Sequence, residues 1–91
     1  MAVRSISEIH VASGFQKSFK KLPANVQGLS VKKDRVFRKN AFDRQLRTHR
    51  LKGELEGYWA YSVNISYRVL FRFLDHNKVI YYDIGTHGIY K

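Results

Sequence analysis

The hydrophobic period of this 91-residue chain switches from helical spacing to alternation in its second half, and that change confines it to a small set of folds. Phe15, Phe19 and Leu22 recur at i, i+4 and i+7. Val26, Leu29, Lys33, Val36 and Phe37 continue at helical spacing to about Asn40, the Lys33 stem being able to cover apolar surface while its ammonium stays wet. From Tyr58 the pattern becomes alternation, rich in aromatic and β-branched residues, as half-buried strands prefer. Two amphipathic helices followed by strands can bury their apolar stripes only against the sheet those strands form.

The boundaries follow from local chemistry. Pro23 disfavours helix at Leu22 and suits the first turn of a second helix. Ser13 and Gln16 have the spacing of a capping box, which predicts a helix start with Ser13 as N-cap. Residues 4–12 alternate loosely and predict a first strand. Three more are predicted at Tyr58 to Val63, Tyr67 to Leu74 and Val79 to Gly85, separated by Asn64-Ile65-Ser66 and Asp75-His76-Asn77-Lys78. In the middle one, Tyr67, Val69, Phe71 and Phe73 make the better core face, opposite Arg68, Leu70, Arg72 and Leu74. Ala41 to Gly53 has no sustained period and is rich in arginine, so it reads as a connecting loop. The expected fold is α+β: an N-terminal strand, a two-helix hairpin and a three-stranded antiparallel meander, with the helices on one side of the sheet.

Residues 1–91 make one domain, near the lower size at which a single core holds a chain unaided. The chain has no cysteine, which excludes disulfides and thiolate metal sites. No His-x-x-x-His or paired-carboxylate spacing appears, and the glycines are too scattered for a phosphate-cradling loop, so neither a metal nor a cofactor is expected. Polar and charged residues interrupt the N-terminus where a signal peptide would need an apolar run, and no stretch approaches a membrane span; a cytoplasmic protein is expected. Residues 1–52 hold thirteen Lys/Arg against three Asp/Glu, a net of +10, whereas residues 53–91 hold four of each. Such a field draws phosphate backbones by counterion release.

The chemistry lies in three separated segments. His87 and Tyr90 stand three residues apart just after the last strand, His49 sits in Thr48-His49-Arg50-Leu51-Lys52-Gly53, and Arg68 lies inside a strand. Histidine, with an unperturbed pKa of about 6.5, can both take and give a proton near neutrality. Arginine can hold two phosphate oxygens at once. Together they suit one phosphodiester. Each also has a plainer reading: His87 capping the strand, His49 solvated in an arginine-rich loop, Arg68 paired with Glu54 or Asp83, Tyr90 packed at the terminus.

These segments, in this order, resemble the RelE/ParE superfamily of toxins, especially its RelE- and YafQ-like messenger-RNA endonucleases. The resemblance rests on the helical hairpin, His49-x-Leu51-x-Gly53, Gly57-Tyr58-Trp59, Tyr67-Arg68, and Gly85-Thr86-His87 before a terminal aromatic. It implies a toxin of a toxin–antitoxin pair that cleaves messenger RNA without a metal, on the ribosome in the ribosome-dependent relatives, and that binds an acidic, partly helical antitoxin. It implies catalytic roles for His87, Arg68 and His49, and substrate contacts by Tyr90. Lys52, Arg50 and Arg72 would add phosphate contacts. The chain departs from the YafQ-like pattern at Ser62 and Ser66, where that branch has a histidine and an acid, and at Gly88, where many relatives have an acid. Two other readings stay open: a ParE-like gyrase inhibitor without catalysis, and a degenerate relative that binds RNA or antitoxin harmlessly.

Overall fold

In the computed structural model, residues 3–90 are described. The elements are β1 (Glu8–Val11), α1 (Ser13–Lys20), α2 (Ala24–Lys39), β2 (His49–Arg50), β3 (Trp59–Ser62), β4 (Arg68–Phe73) and β5 (Lys78–Gly85). Short 3-10 turns occupy Arg44–Leu46, Gly53–Leu55 and His87–Tyr90. The sheet has five strands in the order β1-β5-β4-β3-β2, with β1 parallel to β5 and the other pairs antiparallel. The α+β class and the meander agree with the sequence reading, and β2 is an addition inside the expected loop. Among the described residues, no helix is long and apolar enough to cross a membrane.

Phe37 of α2 is completely buried, with Tyr61 and Phe71 ring centroids at 4.7 and 4.9 Å and Tyr81 at 5.8 Å. Val69 and Phe71 belong to this core and Phe73 packs against it, so the alternation of β4 turns Arg68, Leu70 and Arg72 to the opposite face. A bulge keeps β5 in step. Leu70 pairs with Asp83 but Phe71 with Tyr81, so Tyr82 is the extra residue and both Tyr81 and Ile84 remain buried.

A polar thread runs through the core. The Tyr61 and Tyr81 hydroxyls lie 2.9 Å apart, Tyr81 donates to Asp34 Oδ1 at 2.8 Å, and Arg38 Nε holds Asp34 Oδ2 at 2.9 Å. Burial pushes both phenols far above their ordinary pKa, so they stay protonated and available as donors.

The helix starts differ from expectation by one residue each. Ser13 is already helical and makes no capping bond; Ala12 is the N-cap in extended conformation. Its N–H is held by Tyr81 O at 2.9 Å, and its carbonyl receives Gln16 N–H at 3.2 Å. Pairing with β5 therefore pins the chain extended through Ala12 and overrides the Ser13 capping box. Pro23 likewise precedes α2 as its N-cap, and its carbonyl accepts from Val26 and Gln27.

Candidate active site

The face opposite Phe37 carries most of the candidate residues. Arg68 begins β4, where it pairs with Ser62 on one side and Gly85 on the other. The preceding turn is built by Asn64, whose Oδ1 accepts from the N–H groups of Ser66 at 2.9 Å and Tyr67 at 2.8 Å. Its carbonyl then accepts from Arg68 Nη1 at 2.7 Å, and the Tyr67 carbonyl from the same nitrogen at 3.2 Å. Neutral oxygens thus orient the guanidinium, and among the described residues no carboxylate is paired with it: neither Glu54 nor Asp83 forms the ion pair anticipated as its plainer role. Asp83 is engaged elsewhere, accepting from Ser18 Oγ at 2.6 Å.

His87 and Tyr90 share the terminal 3-10 turn, their rings 6.0 Å apart and nearly edge to face. Gly85 lets Ile89 of this turn pack closely, since a Cβ there would meet Ile89 Cγ2 at 2.8 Å and the side chain would have to shift. Partial burial raises the Tyr90 pKa and the nearby Arg68 charge lowers it, with burial the larger effect. Tyr90 is therefore a neutral phenol beside Arg68. His87 is exposed.

His49 pairs with Ala60, and Ala60 with Leu70. Cross-strand neighbours share a face, so His49 lies on the side of Arg68 and Arg72. Its Nδ1 is 2.9 Å from the Arg47 carbonyl, which can only accept. Neutral His49 accordingly carries its proton on Nδ1 and leaves Nε2 as a free base. The carbonyl is positioned by Arg47 itself, a non-glycine residue in the left-handed region at φ 52°.

The expected phosphate contacts divide. Arg72 is exposed on the Arg68 face, its guanidinium 5.5 Å from the Tyr58 ring centroid, and Tyr58 in turn packs on Tyr82 at 5.2 Å. Arg50 goes the other way. It pairs with Trp59, its guanidinium 5.9 Å from that ring, and Trp59 packs on Phe42 and Phe73 of the core side. Arg50 and Lys52 line a separate recess of about 550 Å³ with Glu56 and Trp59. His87, Arg68, His49, Tyr90 and Arg72 thus share one surface, and Arg50 and Lys52 lie outside it in that recess.

Sequence reasoning missed Asn64 and Arg47, the residues that orient Arg68 and His49. The turn signal at Asn64 was visible, but its second bond to an arginine was not. Nothing in the sequence marks Arg47 as left-handed.

Solved structures with the same fold include several toxins. The YoeB/ParE toxin from Agrobacterium tumefaciens matches with a TM-score of 0.74 at 14% identity, over 89% of this chain and 99% of that one. A chain of the toxin–antitoxin complex RelBE2 from Mycobacterium tuberculosis matches with a TM-score of 0.74 at 19% identity, over 96% and 94%. YafQ from Escherichia coli matches with a TM-score of 0.67 at 15% identity, over 90% and 94%. No protein-family model and no curated relative matches the chain. At these identities the likeness establishes the fold.

Proposed function

From a chain with the fold of the RelE/ParE toxins, we propose a toxin that cleaves messenger RNA by metal-independent attack of the 2′-hydroxyl. The observation that carries this reading is Arg68. Its guanidinium is fixed by two carbonyls and, among the described residues, paired with no carboxylate, beside Tyr90 and on the face that also holds His49. A full, oriented positive charge is what a pentavalent phosphorane needs.

The step balances as follows. His49 Nε2 takes the 2′-hydroxyl proton as the 2′-oxygen bonds to phosphorus. The bond from phosphorus to the 5′-oxygen breaks, and His87 protonates that leaving oxygen. The products are a 2′,3′-cyclic phosphate and a 5′-hydroxyl. Tyr90 supplies a face on which a base can stack, worth roughly 1–3 kcal/mol. Arg72, exposed on the Arg68 face, contacts a flanking phosphate. Because the chain would carry this activity inside the cell, the cytoplasm, messenger RNA on the ribosome and an acidic antitoxin that covers the basic surface complete the reading. One of the matched structures is itself a toxin–antitoxin complex.

Inducing the protein should stop translation and leave transcript ends bearing cyclic phosphates, and purified protein should cleave RNA in the presence of a chelator. Intact RNA together with gyrase-dependent DNA breaks would assign it to the non-catalytic alternative. Intact RNA, unbroken DNA and normal growth would leave a harmless binding protein.

Charge should govern encounter. Lys32 and Arg35 are exposed on α2, and neither takes part in the ion pairs of the described residues, whereas Arg38 is tied to Asp34. Replacing Lys32 and Arg35 by serine should flatten the salt dependence of RNA binding, by roughly 0.7 in log–log slope for each single-strand phosphate no longer neutralised. An unchanged slope would mean that this helix face is solvated surface only.

A further inference from the structure

A second cationic feature adjoins Arg68. A cleft of about 210 Å³ opens where α2, the Arg44–Leu46 turn and the β3–β4 hairpin meet, and Lys33, Gln45, Arg47, Ser62, Asn64 and Arg68 line it. Three cations from three separate segments therefore face one small volume. None of the lining residues carries a carboxylate, and the ion pairs of the described residues involve other groups. Lys33 Nζ donates to the neutral Gln45 Oε1 at 3.1 Å, which orients the ammonium without neutralising it. Arg68 is held in the same manner by carbonyls. Like charges gathered this way repel one another, and an anion that enters removes the repulsion while meeting donors already aimed.

We propose that this cleft binds one backbone phosphate of the RNA strand, next to the phosphate that Arg68 presents to the histidines. The identity of the polyanion rests on the RNA-cleavage reading; the anion site does not depend on catalysis. Arg68 borders both places, so the strand runs from the His49 and His87 face over Arg68 and into the cleft. Lys33, Gln45 and Arg47 are then substrate-binding residues, which fixes the direction in which the strand leaves the cleavage point. Ile65, 92% exposed at the cleft lip, offers apolar surface to the attached nucleoside.

The test uses the full chain and short 2′-O-methyl RNA oligonucleotides, whose blocked 2′-oxygen prevents cleavage, with a neutral methylphosphonate placed at one linkage at a time. For the wild type, neutralising the linkage that occupies the cleft should weaken binding about tenfold, the order of one charge-assisted hydrogen bond. In Lys33→Gln/Arg47→Asn that penalty should vanish while those at other linkages persist. Asn tolerates the left-handed backbone at position 47, and a thermal melt checks that the variant folds. If every linkage keeps its wild-type penalty in the double variant, or if no oligonucleotide binds the wild type, the cleft is not a phosphate site. Cleavage of unmodified RNA is read in parallel. Cleavage without relief of any penalty overturns the cleft and leaves the enzyme, and relief without cleavage does the reverse.

Discussion

Arg68→Ala is expected to slow single-turnover cleavage of bound RNA about 10²–10³-fold, the cost of removing one preorganised donor from a developing charge. His87→Gln should cost about 10²–10⁴-fold through loss of a general acid. Both variants should abolish growth arrest. Neither residue is among the buried side chains of the core, so melting temperature should stay close to that of the wild type. Rates measured across pH for the wild type and His87→Gln separate chemistry from binding. A missing acid should remove one limb of the pH profile, whereas equal rates and an unchanged profile would exclude His87 and leave His49 or a lysine to move the proton. Arg68→Lys should recover only part of the loss, because an ammonium cannot keep two carbonyl bonds and also present a planar fork to phosphate.

Those residues could be nominated from the sequence because their types are rare where they occur. An arginine at an alternating position in an aromatic strand and a histidine just after an apolar one stand out against their neighbours. The core face of β4 was equally legible, since Val69, Phe71 and Phe73 repeat with period two, and all three reach the core. What the sequence concealed depends on pairing. β2 has only two residues, too few to show any period, and exists because Ala60 and Trp59 bond to it. That pairing sends His49 and Arg50 to opposite faces, which composition had placed together in one loop. The bulge at Tyr82 is hidden for the same reason: strict alternation would oppose Tyr81 to Ile84, yet both are buried. The Ser13 capping box lost to a bond from Ala12 to Tyr81, a partner 69 positions away. Short-range rules predicted the helices and strands; the orientation of single side chains followed from contacts that close only in three dimensions.

Phe37→Ala should be the most damaging change outside the proposed active face. Phe37 is 0% exposed and touches three aromatic rings contributed by β3, β4 and β5, so it is the point where α2 is fixed to the sheet. Truncating a buried phenylalanine costs roughly 3–5 kcal/mol, a transfer loss plus the cavity left behind. A domain of this size has about 5–15 kcal/mol in total, so the loss is a large fraction of it. At about 4–8 °C per kcal/mol, the melting temperature should fall on the order of 20 °C. The cavity also lies against the Tyr61, Tyr81 and Asp34 chain, whose buried hydroxyls need their geometry to remain satisfied. Phe37→Leu, which keeps most of the volume, should recover most of the stability. Because α2 carries Lys33 and the sheet carries Arg68, the loosened protein should also bind RNA more weakly at temperatures well below its melting point. A Phe37→Ala melt within a few degrees of the wild type would show that α2 is held chiefly by other contacts, and that the aromatic cluster is not what aligns the helix with the sheet.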